Sequence, residues 1–132
     1  MITTTGLVEI VLMVGDVEQS RRFYEETLGL TVISPDFGGP VFLRVGEAGQ
    51  GVPQQIVLVP RPPDAPAPPA DRALRGLHHL GLTVPQGSLQ EARRQLEAQG
   101  FAVRTGEHPF LNVEAIYVDD PDGNEVELVT QR

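Results

Sequence analysis

The chain has no cysteine and no tryptophan, and all ten of its basic residues are arginine. Without cysteine, disulfides and thiolate chemistry are excluded, and the redox compartment is left open. No apolar run approaches the length needed to cross a bilayer. The first ten residues carry no basic region and no secretory pattern, so a cytoplasmic protein is expected. Positive charge is scarce, with 18 acidic residues against 10 basic and a net charge of −8. Nucleic acids and anionic membranes both demand a concentrated positive surface, so neither is expected as a partner. There is no Gly-rich loop between a strand and a helix for phosphate, and no GxSxG nucleophile elbow. What remains is an ordinary globular composition, 40% apolar over 132 residues. That suffices for one compact domain, or for two modules too small to be stable apart.

The chain is one unit written twice. LVEIVLMVGD (7–16) and GLHHLGLTVP (76–85) superpose at an offset of about seventy residues, which lays Glu9 on His79 and Val14 on Val84. The same offset lays Val57 of QQIVLV (54–59) on Glu127 of NEVELV (124–129). Two copies that each bury half a core usually share a site, and Glu9, His79 and Glu127 are its candidates.

Each copy reads as strand, helix, strand, strand, strand. In the first, 7–14 is a strand, and Asp16 with Gln19 opens a helix that runs to Gly29. Short strands follow at 30–34, 41–45 and 55–59. In the second, 77–84 is a strand, and Ser88 with Glu91 forms a capping box for a helix ending at Gly100. Strands at 101–104, 113–119 and 125–130 complete the copy, the last two joined by the tight turn Asp120-Pro121-Asp122-Gly123. The modules span residues 1–60 and 76–132. Between them, 61–75 belongs to a linker region rich in proline, with six of the twelve prolines falling at 60–71.

Strand parity sorts the side chains. Val8, Ile10, Leu12, Val41, Leu43, Val45, Ile56, Leu58, Leu80, Leu82, Ile116, Val118, Val126 and Leu128 share one face, expected under the helices. The opposite face carries Glu9, Met13, Phe42, Arg44, Gln55, Val57, His79, Thr83, Tyr117, Glu125 and Glu127. Such a mixture is a solvated surface or the lining of a cleft. His78 is expected on the face opposite His79.

The paired βαβββ units, FYEETLGL (23–30) and DPDGNEVEL (120–128) resemble the vicinal oxygen chelate superfamily, which includes glyoxalase I, extradiol dioxygenases and bleomycin-resistance proteins. The resemblance implies an α+β fold of two βαβββ modules curving into a partly open, barrel-like cleft, and a homodimer. It also implies metal ligands on the first and last strands of each module. His79 and Glu127 match that pattern. Glu9 stands where His or Gln is usual, and Val57 cannot bind a metal, so a four-ligand glyoxalase I site is not present.

On that resemblance, Glu9, His79 and Glu127 would hold a divalent ion (Mn²⁺, Fe²⁺, Co²⁺, Ni²⁺ or Zn²⁺) with positions left for water and a chelating substrate. The alternative is a metal-free cleft. Glu9 is either the third ligand or the general base. Arg44 and Tyr117 are read as corresponding positions in the two copies. Arg44 would bind a substrate anion or pair with Glu9, Glu125 or Glu127; Tyr117 would donate a hydrogen bond or proton, or simply line the cleft. Gln55 would orient substrate or ligand, or be a plain polar residue of the cleft, and His108 would reach in from the 106–110 loop or stay on the surface. Met13, Phe42 and Phe37 would form an apolar wall for a substrate, or simply pack at the cleft edge or at a dimer contact. The expected activity is a metal-dependent isomerase, epimerase, lyase or dioxygenase acting on a small oxygen-rich substrate. The alternative is a metal-free small-molecule or antibiotic-binding protein; low aromatic content counts against it and acidity for it.

Overall fold

In each half of the chain the first strand runs parallel to the last, a pairing that only a long crossover can connect. The computed structural model describes every residue except Phe37, and of Ala48 only the backbone; the wall position expected at Phe37 lies outside the described residues. Two compact units result, Met1–Ala67 and Pro68–Arg132.

In the first unit, β1 (Glu9–Val14) pairs with β4 (Val52–Pro60), which pairs antiparallel with β3 (Val41–Gly49), which pairs with β2 (Thr31–Val32). The second unit repeats the order with β5 (Leu80–Thr83), β8 (Glu125–Gln131), β7 (Val113–Asp119) and β6 (Arg104–Gly106). The fold is therefore α+β, two βαβββ modules each with an open four-stranded mixed sheet. The repeat offset survives in the register: Val11 faces Val57 in one sheet and Gly81 faces Glu127 in the other.

Asp16 caps α1 (Val17–Arg21), its Oδ1 accepting from the Gln19 amide at 3.0 Å. The helix expected to reach Gly29 as one α-helix instead widens into a π-turn over Arg22–Thr27. There the Leu28 amide reaches back to the Phe23 carbonyl at 3.0 Å. The wider turn lets two successive aromatic residues, Phe23 and Tyr24, both face inward, at 3% and 0% exposure. Gly29 closes it at φ 79°, a backbone conformation that favours glycine.

In the second unit, α2 (Leu89–Ala98) buries Leu89 and Leu96, two turns apart on one stripe, and packs on β7 and β8. Its expected capping box does not form. Ser88 already has helical dihedrals, its hydroxyl donates backward to the Pro85 carbonyl at 2.6 Å, and Glu91 pairs with Arg94. The proline region also ends in structure, a 3₁₀ turn over Arg72–Leu74 capped by Asp71.

The apolar face is buried at its centre, with Leu12, Leu43, Ile56, Leu58, Leu80, Ile116, Val118, Val126 and Leu128 all inside. It frays at the margins. Val8 is exposed because β1 begins only at Glu9, and Ile10, Val41, Val45 and Leu82 are half-buried. Val57, from the other face, is buried as well. Strands β3 and β4 run longer than expected because the Gly-rich connection between them continues the ladder to a turn at Gln50 and Gly51, both at positive φ.

The β7–β8 turn is built on Asp120, which is 4% exposed. One oxygen accepts from the amides of Asp122 and Asn124 at 3.0 and 2.8 Å, the other from the Asn124 side chain at 3.0 Å. Replacing it with alanine leaves the half-buried Asp122 and Asn124 amides without this acceptor, a loss of about 1–2 kcal/mol. A urea unfolding curve of Asp120→Ala should show a lower midpoint at unchanged slope.

Candidate active site

Glu127 is held at the middle of the second sheet, with Gly81 of β5 on one side and Tyr117 of β7 on the other. The Tyr117 hydroxyl donates to Glu127 Oε1 at 2.8 Å, and His79 Nε2 lies 3.6 Å from Glu127 Oε2. The His79 ring stands edge-on to Tyr117, centroids 5.9 Å apart. Two glycines make this cluster sterically feasible. A Cβ on Gly81 would lie 2.9 Å from Glu127 Oε2, and one on Gly106 would lie 2.5 Å from the Tyr117 ring. A glycine inside a strand marks such a close approach. Neither glycine stood out among the site residues expected from the sequence, although Gly81 interrupts the LHHLGLTV strand.

Burial and the neighbouring Glu127 and Glu125 carboxylates push the Tyr117 phenol up to about 12. At neutral pH it is a hydrogen-bond donor and not a phenolate. The Glu127 side chain is 12% exposed and the His79 side chain 37%, so a small molecule reaches the imidazole while the carboxylate is partly shielded from water.

Beside this group lies an ionic cluster that the sequence did not reveal. Arg104 bridges Asp119 and Glu125 at 2.7 and 3.1 Å, and Arg72 meets the same pair at 2.6 and 3.4 Å. Burial alone would raise the Asp119 carboxyl; hydrogen bonds from Arg104 and Arg72 outweigh it and hold the group below the usual range. The hydrogen bond to Asp119 chiefly raises Arg104. These arginines come from β6 and the 3₁₀ turn, far from Asp119 in sequence, so no short-range pattern announces them.

His78 is not on the opposite face. Its Nδ1 lies 2.8 Å from His79 Nδ1, because both residues precede β5 and strand alternation does not govern them. His108 accepts the Phe110 and Leu111 amides at Nδ1, at 3.3 and 2.9 Å, and its ring meets Phe110 edge to face. It shapes its own turn.

In the first unit, Glu9 is exposed and its Oε2 accepts from Gln55 Nε2 at 3.2 Å. Met13 is 56% exposed and Phe42 half-buried. The correspondence expected between Arg44 and Tyr117 does not hold. Phe42 faces Val57 as Tyr117 faces Glu127, and Arg44 faces Gln55 as Asp119 faces Glu125. The repeat offset does not carry from β4 and β8 to β3 and β7, because the β3–β4 hairpin is longer than the β7–β8 hairpin: Phe42 precedes its partner Val57 by 15 residues, and Tyr117 precedes Glu127 by 10. The polar trio Gly81–Glu127–Tyr117 thus has an apolar counterpart, Val11–Val57–Phe42. Arg44 is exposed and has no ion-pair partner among the described residues of its own unit.

Duplicated βαβββ modules, the second carrying a His79–Glu127–Tyr117 group, define a class of folds in which similar scaffolds carry different chemistries. A family model of the Glyoxalase/Bleomycin resistance protein/Dioxygenase superfamily matches residues 6–128, and the chain belongs to that superfamily. It is 28% identical over 122 residues to the catechol-2,3-dioxygenase of Bacillus subtilis (strain 168), covering 92% of this chain and 40% of that protein. The chain therefore spans about two fifths of that relative's length. Among solved structures, a glyoxylase/bleomycin resistance protein/dioxygenase domain from Frankia sp. EAN1pec is 24% identical at a TM-score of 0.73, with 98% of this chain and 100% of that one covered. The lactoylglutathione lyase of Agrobacterium tumefaciens is 22% identical at a TM-score of 0.68, with 96% and 93% covered. These two likenesses establish the fold. No helix among the described residues is long and apolar enough to cross a membrane.

The chain has two tyrosines, and Tyr24 is fully buried. In a Tyr24→Phe background, absorbance at the phenolate band should titrate with a midpoint near 12 for Tyr117. Because that value is raised, the interaction stabilises the fold fully below the ordinary tyrosine pKa and is lost as pH climbs toward 12. Adding Glu127→Gln should bring the midpoint down only part of the way, since burial is the larger cause. A midpoint near the ordinary value, about 10, would show that the hydroxyl is neither shielded nor bonded.

Proposed function

We propose that the chain is a divalent-metal-dependent enzyme that binds a small oxygen-rich substrate through two neighbouring oxygens. The observation that carries this reading is the His79–Glu127 approach at 3.6 Å, in space that Gly81 leaves open beside a protonated Tyr117. One imidazole and one partly buried carboxylate are a donor set suited to Mn²⁺, Fe²⁺, Co²⁺, Ni²⁺ or Zn²⁺. Glu9 completes the set on the family pattern alone, contributed by this chain or by a second copy in a homodimer. When bound, the ion would act as a Lewis acid toward a chelated substrate.

The chain's own residues divide the remaining work. Tyr117 orients Glu127 through its hydrogen bond and keeps its proton, so it is available to donate to a substrate oxygen once Glu127 turns elsewhere. Gln55 holds Glu9 by one oxygen, leaving that carboxylate as ligand or general base. Arg44, exposed beside Gln55, provides a positive charge for a substrate anion. The dioxygenase relative and the lyase fold neighbour favour isomerase, lyase or dioxygenase chemistry, and a catechol is the first substrate to try.

Metal-free protein titrated with Mn²⁺ or Fe²⁺ should gain thermal stability, about 2.7 kcal/mol at a hundredfold excess over Kd. Glu127→Gln and His79→Ala should each weaken binding by roughly tenfold or more. Absence of stabilisation by all five ions, together with chelator-insensitive binding of a cationic drug, would overturn the enzyme reading in favour of a metal-free binding protein. Gly81→Ala, which pushes on the Glu127 carboxylate, should lower metal affinity while leaving the helical circular-dichroism signal intact.

A further inference from the structure

The second unit holds another convergence of ligand atoms. One atom each from His78, His79 and Glu125 lie within 4.8 Å of one another. The closest approach is between the two Nδ1 atoms, at 2.8 Å, with the rings inclined at 73°. Two nitrogens held at right angles on one ion, each about 2.1 Å from it, are about 3.0 Å apart, so the two histidines already stand near the spacing of a chelating pair. Without an ion, that spacing requires one Nδ1 to carry a proton and the other to accept it. The same two atoms are suited to sharing a cation. Both histidines are exposed, which gives a hydrated ion access.

We propose that His78 Nδ1, His79 Nδ1 and the Glu125 carboxylate form a second seat for a divalent cation of the imidazole-favouring kind, Cu²⁺, Ni²⁺ or Zn²⁺. Two nitrogens and one oxygen select these ions over Mn²⁺ and Mg²⁺, which favour oxygen. Glu125 Oε2 also meets Arg104 at 3.1 Å and Arg72 at 3.4 Å, so an incoming ion shares this carboxylate with two guanidinium groups. That competition weighs most against oxygen-dependent ions and least against those held mainly by the two imidazoles.

A neutral imidazole has one lone pair to give. His79 offers it at Nδ1 to His78's ion, or at Nε2 on the side of Glu127. The two seats are therefore alternatives, and an ion held with His78 withdraws His79 from Glu127. The seat stands on the second unit's geometry; the antagonism rests on the function proposed above.

Cu²⁺ titrated into the full metal-free chain, followed by electron paramagnetic resonance, tests this directly. The wild type should show coupling to two nitrogens, and His78→Ala to one, with Cu²⁺ affinity lowered roughly tenfold or more. Glu125→Gln should weaken Cu²⁺ as well, whereas Glu127→Gln and Glu9→Gln should keep the two-nitrogen spectrum. His78 is exposed, so its replacement leaves the core untouched. In the wild type, one equivalent of Cu²⁺ should release bound Mn²⁺, read from the free-ion signal. A single nitrogen in the wild type, or unchanged affinity in His78→Ala, overturns the seat; Mn²⁺ staying bound beside Cu²⁺ overturns the antagonism. Mn²⁺ binding unaffected by Glu127→Gln would sink the proposed function and leave the two-nitrogen spectrum standing.

Discussion

Parallel neighbours cannot be joined by a tight turn, and in each module the first and last strands are parallel neighbours. Everything between them must therefore travel out and return: a helix, a short edge strand and a long hairpin strand. That crossover supplies the helix that covers one face of the sheet, and it leaves the other face uncovered by any element of its own module. The register of this pairing also sets the site. Gly81 sits beside Glu127 because Leu80 sits beside Val126, and a one-residue slip would turn Glu127 toward the helix.

Duplication supplies two such faces, and the chain has used them differently. Where the second sheet carries Gly81, Glu127 and Tyr117, the first carries Val11, Val57 and Phe42. Burying Glu127 carries a desolvation cost that its Tyr117 hydrogen bond offsets. In the first sheet the same position is simply apolar, and Val57 is among the buried residues. Acidic charge is concentrated in the second sheet, where Glu125 and Asp119 are offset by Arg72 and Arg104 and Glu127 is left to His79 and Tyr117. A carboxylate left without an arginine partner remains able to take a cation.

The scaffold was readable because its signals are local or periodic. Alternation along β4 and β8, the Asp16 cap and the Asp120-Pro121-Asp122-Gly123 turn each act within a few residues, and the repeat offset tied β1 to β5 and β4 to β8. The same offset does not hold between β3 and β7, since the β3–β4 hairpin is longer than the β7–β8 hairpin. Capping at Ser88 failed for a different reason: its hydroxyl bonds the Pro85 carbonyl behind it, and its own backbone is already helical.

By itself, the sequence determined the duplicated βαβββ order, the polar and apolar faces of the strands, and the place of Glu127 on the polar face of β8. These follow from side-chain alternation and turn chemistry, which act along the chain. Tertiary structure alone decided that His78 and His79 converge, that Arg104 and Arg72 claim Asp119 and Glu125, and that Gly81 and Gly106 leave room for Glu127 and Tyr117. Those depend on distances across the sheet between residues remote in sequence, and on where strand β5 begins, which cross-strand hydrogen bonds set and the order of residues does not.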